Sequence, residues 1–441
     1  MSKIGLKLLL TGIYVLASKP SLAQTVEGHP GDKLKMVVIL IRHGVRSPTW
    51  PRARLDSYSV QPWPQWSVPP GNLTARGHQL LKLFGAYNRI SLIEAGLFAG
   101  HGCTDAAASY VWADTDQRTL ESGQALAEGL FPGCASAVHG LAQGSNDPLF
   151  HPTTAGVTPD EIEGAFGDLE ARTKQQSGSS AAAPQAELIQ EVQNLLLDCT
   201  PKKSCSPTHV PQTPLLGSET TAVRGKGDHL VDLNGPLALA SSFSEDFLLE
   251  YAEGMPLDLV GWGHVDETQL RRLLPLHTDY FDLIHRTPAL AKIEASNVLF
   301  HIVQTLQQGI EGQPVADAIG PVGSKLVLLV GHDTKIASVA ELLGLHWHLD
   351  GRSDDTPPGT QLAFELWQDT RGLYSVRVVV AMQTIPQMRE MLPLTLSTPP
   401  VRETLKLQKC PAASKGCRWE DFRRIAGAVI NTKAVQPQPS M

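Results

Sequence analysis

The run VVILI at Val37–Ile41 constrains this chain more than any other stretch. β-Branched and aliphatic residues at consecutive positions leave no polar face, so the segment reads as a strand buried on both sides, as in a parallel sheet covered by helices. Polar residues follow at once: Arg42, His43 and Arg46 fall within five positions. In open α/β sheets ligands bind beyond the carboxyl ends of the strands. Two guanidiniums around an imidazole there suit a small, doubly charged anion such as phosphate.

A second strand-to-helix corner follows the same plan. Leu326–Val330 is apolar, Gly331 allows a tight turn, His332, Asp333 and Thr334 are polar, and a helical pattern runs on to Gly344. Between the corners, residues 73–98 and 114–134 read as helices, the second with Asp114, Thr115 and Asp116 as capping candidates and Pro132–Gly133 as its stop. The texture changes near residue 155. QQSGSSAAAPQ at 175–185 reads as a turn segment, Leu188, Val192, Leu195 and Leu196 follow helical spacing, and most of 236–260 and 270–312 is helical in pattern. The expected fold is α/β: a sandwich with a mostly parallel central sheet, formed by 24–155 and 291–432, with an all-α domain inserted at 156–290 and a loose tail at 433–441.

A chain of 441 residues, 42% hydrophobic and 18% charged, has material for two or three globular domains. Its formal charge of −7 and the absence of any long Lys/Arg run exclude a nucleic-acid surface and an anionic-membrane partner, so an anion site must be a local pocket. Lys3 and Lys7, the apolar stretch Leu8–Ala17 and a small-residue cleavage pattern ending at Ala23 mark residues 1–23 as a signal peptide. That stretch is too short to span a bilayer, and the mature chain is expected in the periplasm or secreted. Six cysteines, an even number with no CxxC pair, read as disulfides in such a compartment, and their spacings fit no zinc motif. His346 and His348 at alternate positions read as packing rather than as ligands. No metal or cofactor is expected, and the chain is expected to act as a monomer.

A phosphate monoester resists attack because its oxygens repel nucleophiles and its alkoxide leaves poorly. His43 can attack phosphorus with one ring nitrogen if a backbone carbonyl holds the other, giving a phosphohistidine. Arg42 and Arg46 can neutralise the non-bridging oxygens. Asp333 is the natural acid for the leaving oxygen and His332 a further phosphate donor, provided the two strand ends meet. A non-catalytic phosphate-binding protein is the alternative from another class, but it has no use for a proton donor beside the anion.

RHGVRSP together with a distant GHDT resembles the histidine acid phosphatases, in their bacterial periplasmic branch of 4-phytases and glucose-1-phosphatases. The likeness runs nearly the whole mature chain and includes LTARGHQLL, ADTDQRT, NDPLFHP, FLLEYAEGMP, GWG, HRTP and DDTPPGTQLAFELW. It implies a phosphoglycerate-mutase-like fold, with His43 as nucleophile, Asp333 as proton donor, and Arg42, Arg46, Arg118 and His332 binding phosphate. It places Thr49, Glu245 and Arg286 around the substrate pocket. It also implies the pairs Cys103–Cys134, Cys199–Cys205 and Cys410–Cys417, and phytate as the substrate, with glucose 1-phosphate or a broader set of monoesters as the alternative. Phosphoglycerate mutases share the RHG core but lack the signal peptide and these cysteines. Three features bear on the choice: phytase-like members tend to carry Lys where this chain has Trp50, they often have eight cysteines, and HDT rather than HDS is the phytase-side spelling.

Overall fold

The structure is a computed structural model that describes residues 31–151, 156–180, 182–198, 219–225, 229–411 and 416–437. The signal-peptide segment and the Cys199–Cys205 pair lie outside these residues. Eight strands form one sheet: β1 Lys33–Arg42, β2 Ser109–Ala113, β3 Val138–His139, β4 Leu326–Gly331, β5 Gln361–Gln368, β6 Tyr374–Met382, β7 Val401–Leu405 and β8 Cys417–Arg418. Their order is β7-β6-β5-β1-β4-β2-β3, with β8 on the outer side of β6. β1, β4, β2 and β3 are parallel neighbours, and β5 runs antiparallel to both β1 and β6. β1, β2, β3, β4 and β6, five of the eight, therefore share one direction.

The main helices are α1 Ala75–Glu94, α2 Gln117–Leu130, α3 Pro159–Ser177, α4 Ala182–Leu196, α5 Pro236–Ala252, α6 Glu267–Leu273, α7 Pro275–Ile284, α8 Pro288–Glu311, α9 Asp333–Leu343 and α10 Trp419–Val429. The unbroken apolar run of β1 has the consequence expected of it. Val37, Ile39 and Ile41 face a core with α1 and α2, while Met36, Val38 and Leu40 face another with α8, α9 and α10. β4 divides likewise, Leu326, Leu328 and Val330 to one side and Val327 and Leu329 to the other. Neither strand could tolerate a polar residue mid-run.

Helices α3 to α7 surround a separate core that includes Leu169, Val192, Phe243, Phe247, Leu270 and Ile284, and a short hairpin, Thr221–Arg224 with Val231–Asn234, packs beside them. This core is not self-contained. It takes in Val45, Trp63, Leu80 and Ile385 from outside 156–290, with the Trp63 ring stacked on Phe243 and Phe247. Helix α8 crosses the expected boundary at 290 and serves both regions, giving Leu290 and Ile293 to one core and Ala295, Val298, Leu299 and Ile302 to the other. The start of the expected loose tail is in fact packed: Ala434 is buried, Gln436 N–H donates to Asn297 Oδ1 (2.9 Å), and the Gln436 carbonyl lies 2.9 Å from His301 Nε2. Residues on α8 supply those partners, which residue composition alone does not reveal. Cys103–Cys134 and Cys410–Cys417 are bonded as the resemblance implied.

Helix α1 is docked through a residue with no side chain. Thr74 caps it by accepting from Gly77 N–H, and its own N–H donates to the Val45 carbonyl (3.0 Å). A Cβ on Gly77 would sit 2.1 Å from that carbonyl oxygen, backbone against backbone. Gly77→Ala should therefore push α1 off the 43–46 loop and cost about 1–3 kcal/mol, seen as a lower urea midpoint. An unchanged midpoint would show that this contact does not set the spacing.

Candidate active site

Three parallel strands end at one place. The register sets Arg42 opposite Gly331, and His43 N–H donates to the Gly331 carbonyl (2.9 Å). The end of β2 lies beside them, with Asp114 N–H donating to the Val330 carbonyl (3.0 Å). The RHG and HDT corners, far apart in the chain, are thus adjacent. Gly331 is required there, since a Cβ would lie 2.4 Å from the Phe150 ring.

His43 is 3% exposed, and its Nδ1 lies 2.8 Å from the Gly44 carbonyl. A carbonyl can only accept, so Nδ1 carries the hydrogen and Nε2 keeps its lone pair. Burial lowers the affinity of this imidazole for a proton, and Arg118, Arg42, His332 and Arg46 lower it further, so its pKa falls well below the ordinary histidine value. Burial and the neighbouring cations thus favour the uncharged ring, the form that can act as a nucleophile.

Arg42, 1% exposed, donates to the Thr356 carbonyl and pairs with both Glu245 and Asp333, the latter at 2.9 Å. Arg46 holds the other oxygen of Glu245 at 2.9 Å. One carboxylate therefore bridges two guanidiniums. Burial opposes the charge on Glu245, but Arg46 and Arg42 outweigh it and hold the group well below the usual carboxylate range. Arg118, in the first turn of α2, pairs with Asp116 and reaches the Gly71 carbonyl at 3.4 Å. Among the described residues the buried Nε atoms of Arg42 and Arg118 have no hydrogen-bond partner.

His332 Nε2 lies 2.6 Å from Asp114 Oδ2, and His151 Nε2 lies 2.8 Å from the same oxygen. Asp114 is wholly buried. Burial disfavours its charge, yet the hydrogen bonds from His151 and His332 prevail, and its pKa sits well below the usual carboxylate range. Asp114 is thus a clamp for His332 rather than a helix cap. The rings of His332 and His43 meet edge to face with centroids 5.6 Å apart. Asp333 opens α9, accepts from Thr334 N–H at 2.9 Å with one oxygen and holds Arg42 with the other.

The expected pocket residues divide. A Cβ at Gly71 would lie 3.6 Å from Arg118 Nη1 and 3.7 Å from Thr49 Cγ2, so Thr49, which is exposed, borders the Arg118 side. Trp50 packs edge-on against Phe243, and the exposed Arg54 guanidinium lies 3.5 Å over its ring. Arg286 sits beside residues 345–354. It is 3% exposed, donates to the Leu345 carbonyl (3.1 Å), lies 3.6 Å from Asp354 and sits over Trp347. None of these partners belongs to the Arg42–Arg46–Glu245 group. The HRTP turn places it just before α8, and among the described residues its buried Nη2 has no hydrogen-bond partner.

Residue reasoning missed Asp114 as an anchor, His151 beside it, and the bridging position of Glu245. ADTDQRT and NDPLFHP carried the first two, but nothing local told a buried carboxylate from a cap. As a whole the site offers a neutral imidazole nitrogen, three guanidiniums, a second imidazole held by a carboxylate, and a carboxyl group on the same guanidinium: the parts for moving a phosphoryl group.

The model of the histidine phosphatase superfamily (branch 2) matches residues 33–381. The chain belongs to that family. Within this superfamily it is 35% identical to phytase AppA of Escherichia coli over 90% of this chain and 92% of that one. It is also 31% identical to the glucose-1-phosphatase of Salmonella typhimurium over 98% and 100%. Among solved structures, the Hafnia alvei phytase in complex with tartrate superposes with a TM-score of 0.81 at 34% identity, covering 93% of this chain and all of that one. This histidine phosphatase is accordingly an acid phosphatase, a phosphoric monoester hydrolase.

The lowered proton affinity of His43 has a thermodynamic sign. The unfolded chain takes up a proton near the ordinary histidine value and the folded chain does not, so folding stability falls as pH drops below about 6.5. His43→Asn removes this penalty. Relative to wild type, the variant should gain about 1.4 kcal/mol per pH unit between pH 6.5 and the folded-state pKa in urea unfolding without phosphate. A wild-type-to-variant gap that is constant with pH would refute the neutral imidazole.

Proposed function

We propose that this phosphatase hydrolyses phosphate monoesters in two steps at His43, with phytate as its main substrate. The observation that carries the reading is the tautomer lock on His43, which leaves Nε2 unprotonated, while Asp333 pairs with the guanidinium of the adjacent Arg42. Nε2 attacks phosphorus, the ester P–O bond breaks, and Asp333 gives its proton to the departing oxygen. Water then attacks the phosphohistidine, the P–N bond breaks, and the water's proton returns to Asp333. Arg42, Arg46, Arg118 and His332 hold the non-bridging oxygens through both steps.

Phytate is favoured by the phytase relatives, one of which, from Hafnia alvei, has been solved in complex with myo-inositol hexakis sulphate (32% identity, TM-score 0.79). The glucose-1-phosphatase relative and the loss of a cation at Trp50 favour the second reading, a preference for glucose 1-phosphate. Arg54 weighs against it. Stacked on Trp50 and exposed, its guanidinium supplies a cation over the position where the phytase-like Lys is missing, which a substrate with many phosphates can use. Export to the periplasm follows from the N-terminal leader pattern, and the two disulfides fit an oxidising compartment. Among the described residues no helix is long and apolar enough to cross a membrane.

Three measurements test the reading. Asp333→Asn should lose far more kcat on phytate or glucose 1-phosphate than on p-nitrophenyl phosphate, whose leaving group needs little protonation; equal losses would remove the general acid. Arg54→Ala should raise KM for phytate about two- to fivefold, the scale of an exposed charge contact, and leave p-nitrophenyl phosphate unchanged. If glucose 1-phosphate is turned over more efficiently than phytate by the wild type, the phytase assignment falls.

A further inference from the structure

Glu245 lies where the guanidiniums call for an anion. Its two oxygens are divided between Arg42 and Arg46, the arrangement in which such a pair takes the oxygens of a phosphate. Phosphate bound there, as the reading above requires, deprives Glu245 of both cations. Its side chain is only 12% exposed, and a buried carboxylate without a donor is strongly unfavourable. It needs another partner close by.

His277 on α7 supplies one. A ring nitrogen of this residue lies within 4.8 Å of carboxylate oxygens of Glu245 and Asp333. The residue is 6% exposed, its Nδ1 is 3.2 Å from Ser241 Oγ, and its buried Nε2 has no hydrogen-bond partner among the described residues. A buried ring nitrogen left unpaired is uncommon. The three groups have the composition of a metal site, but Arg42 already pairs with both carboxylates and Arg46 with one, which makes the place hostile to a cation.

We propose that His277 receives Glu245 when phosphate enters. The Glu245 side chain rotates away from Arg42 and Arg46 and accepts a hydrogen bond from His277 Nε2–H, while the Ser241 hydroxyl donates to Nδ1. No covalent bond changes; one acceptor exchanges its donors. His277 touches no reacting atom and is a positioning residue, which lowers the cost of vacating the phosphate site.

The test is the affinity of the full chain for inorganic phosphate, measured by calorimetry in wild type, His277→Phe, His277→Gln, Glu245→Gln and the double variant Glu245→Gln/His277→Phe. His277→Phe should weaken binding about tenfold, within the range of coupled contacts. His277→Gln, which keeps an N–H, should stay within about threefold of wild type. In the Glu245→Gln background, where no anion has to be rehoused, His277→Phe should cost nothing further. A loss that persists in that background marks a merely structural role and overturns the proposal, as does no loss at all. Should the Phe variant fail to fold, the 15N signal of His277 Nε2 in the wild type decides: it must shift on saturation with phosphate, and an unmoved signal refutes the exchange. If wild type binds no phosphate, the phosphatase reading itself fails, a result distinct from binding without coupling.

Discussion

Everything at the site hangs on the parallel pairing of β1 with β4. Six consecutive residue pairs, from Val37 with Leu326 to Arg42 with Gly331, hold the two strands in register. A slip of one residue would turn each strand's apolar residues to the wrong face and move His43 away from His332. Register here is therefore secured twice, by backbone hydrogen bonds and by cores on both faces that accept only one set of alternate side chains. Catalytic geometry becomes a by-product of hydrophobic packing. The strand ends cannot drift, because the middles of the strands cannot.

Upon that frame sits a charge problem. Arg42 and Arg46 are almost entirely buried, and a buried guanidinium is tolerated only with partners. The substrate-free chain solves this with Glu245 and Asp333 for Arg42, and with Glu245 again for Arg46. Asp114 does the corresponding service for His332 and His151. His43 is held uncharged by its burial first and by the cations around it second. The same arrangement stabilises the empty fold and prepares it for an anion: carboxylates hold the places that phosphate oxygens need, and a chain of net charge −7 gathers its positive potential in one pocket.

The inserted helices build a core of their own and also contribute to the site. Glu245 projects from α5, whose neighbouring residues Phe243 and Phe247 pack on Trp63 of the α/β part. A carboxylate brought from a separate structural unit can bridge two arginines of the first only because one shared core fixes both. Helix α8, half in each core, is the beam between them.

The residues alone showed two strand-helix corners, the chemistry of Arg42, His43, Arg46, His332 and Asp333, and the existence of most helices. These are local properties: an apolar run, a capping glycine such as Gly344 in the left-handed conformation, the types of side chain that follow a strand. Resemblance added Arg118, Thr49, Glu245, Arg286 and the cysteine pairs. Tertiary structure alone decided that Asp114 clamps an imidazole instead of capping a helix, that Arg286 turns into the 345–354 packing, that residues 431–436 are held by α8, and that His277 is left with an unpaired nitrogen. The reason is common to all four. Burial and partner identity are set by contacts between segments distant in the chain, and the sign of a buried group's contribution depends on those partners. A carboxylate, an arginine or a histidine reads the same in sequence whether it meets water, an opposite charge or nothing.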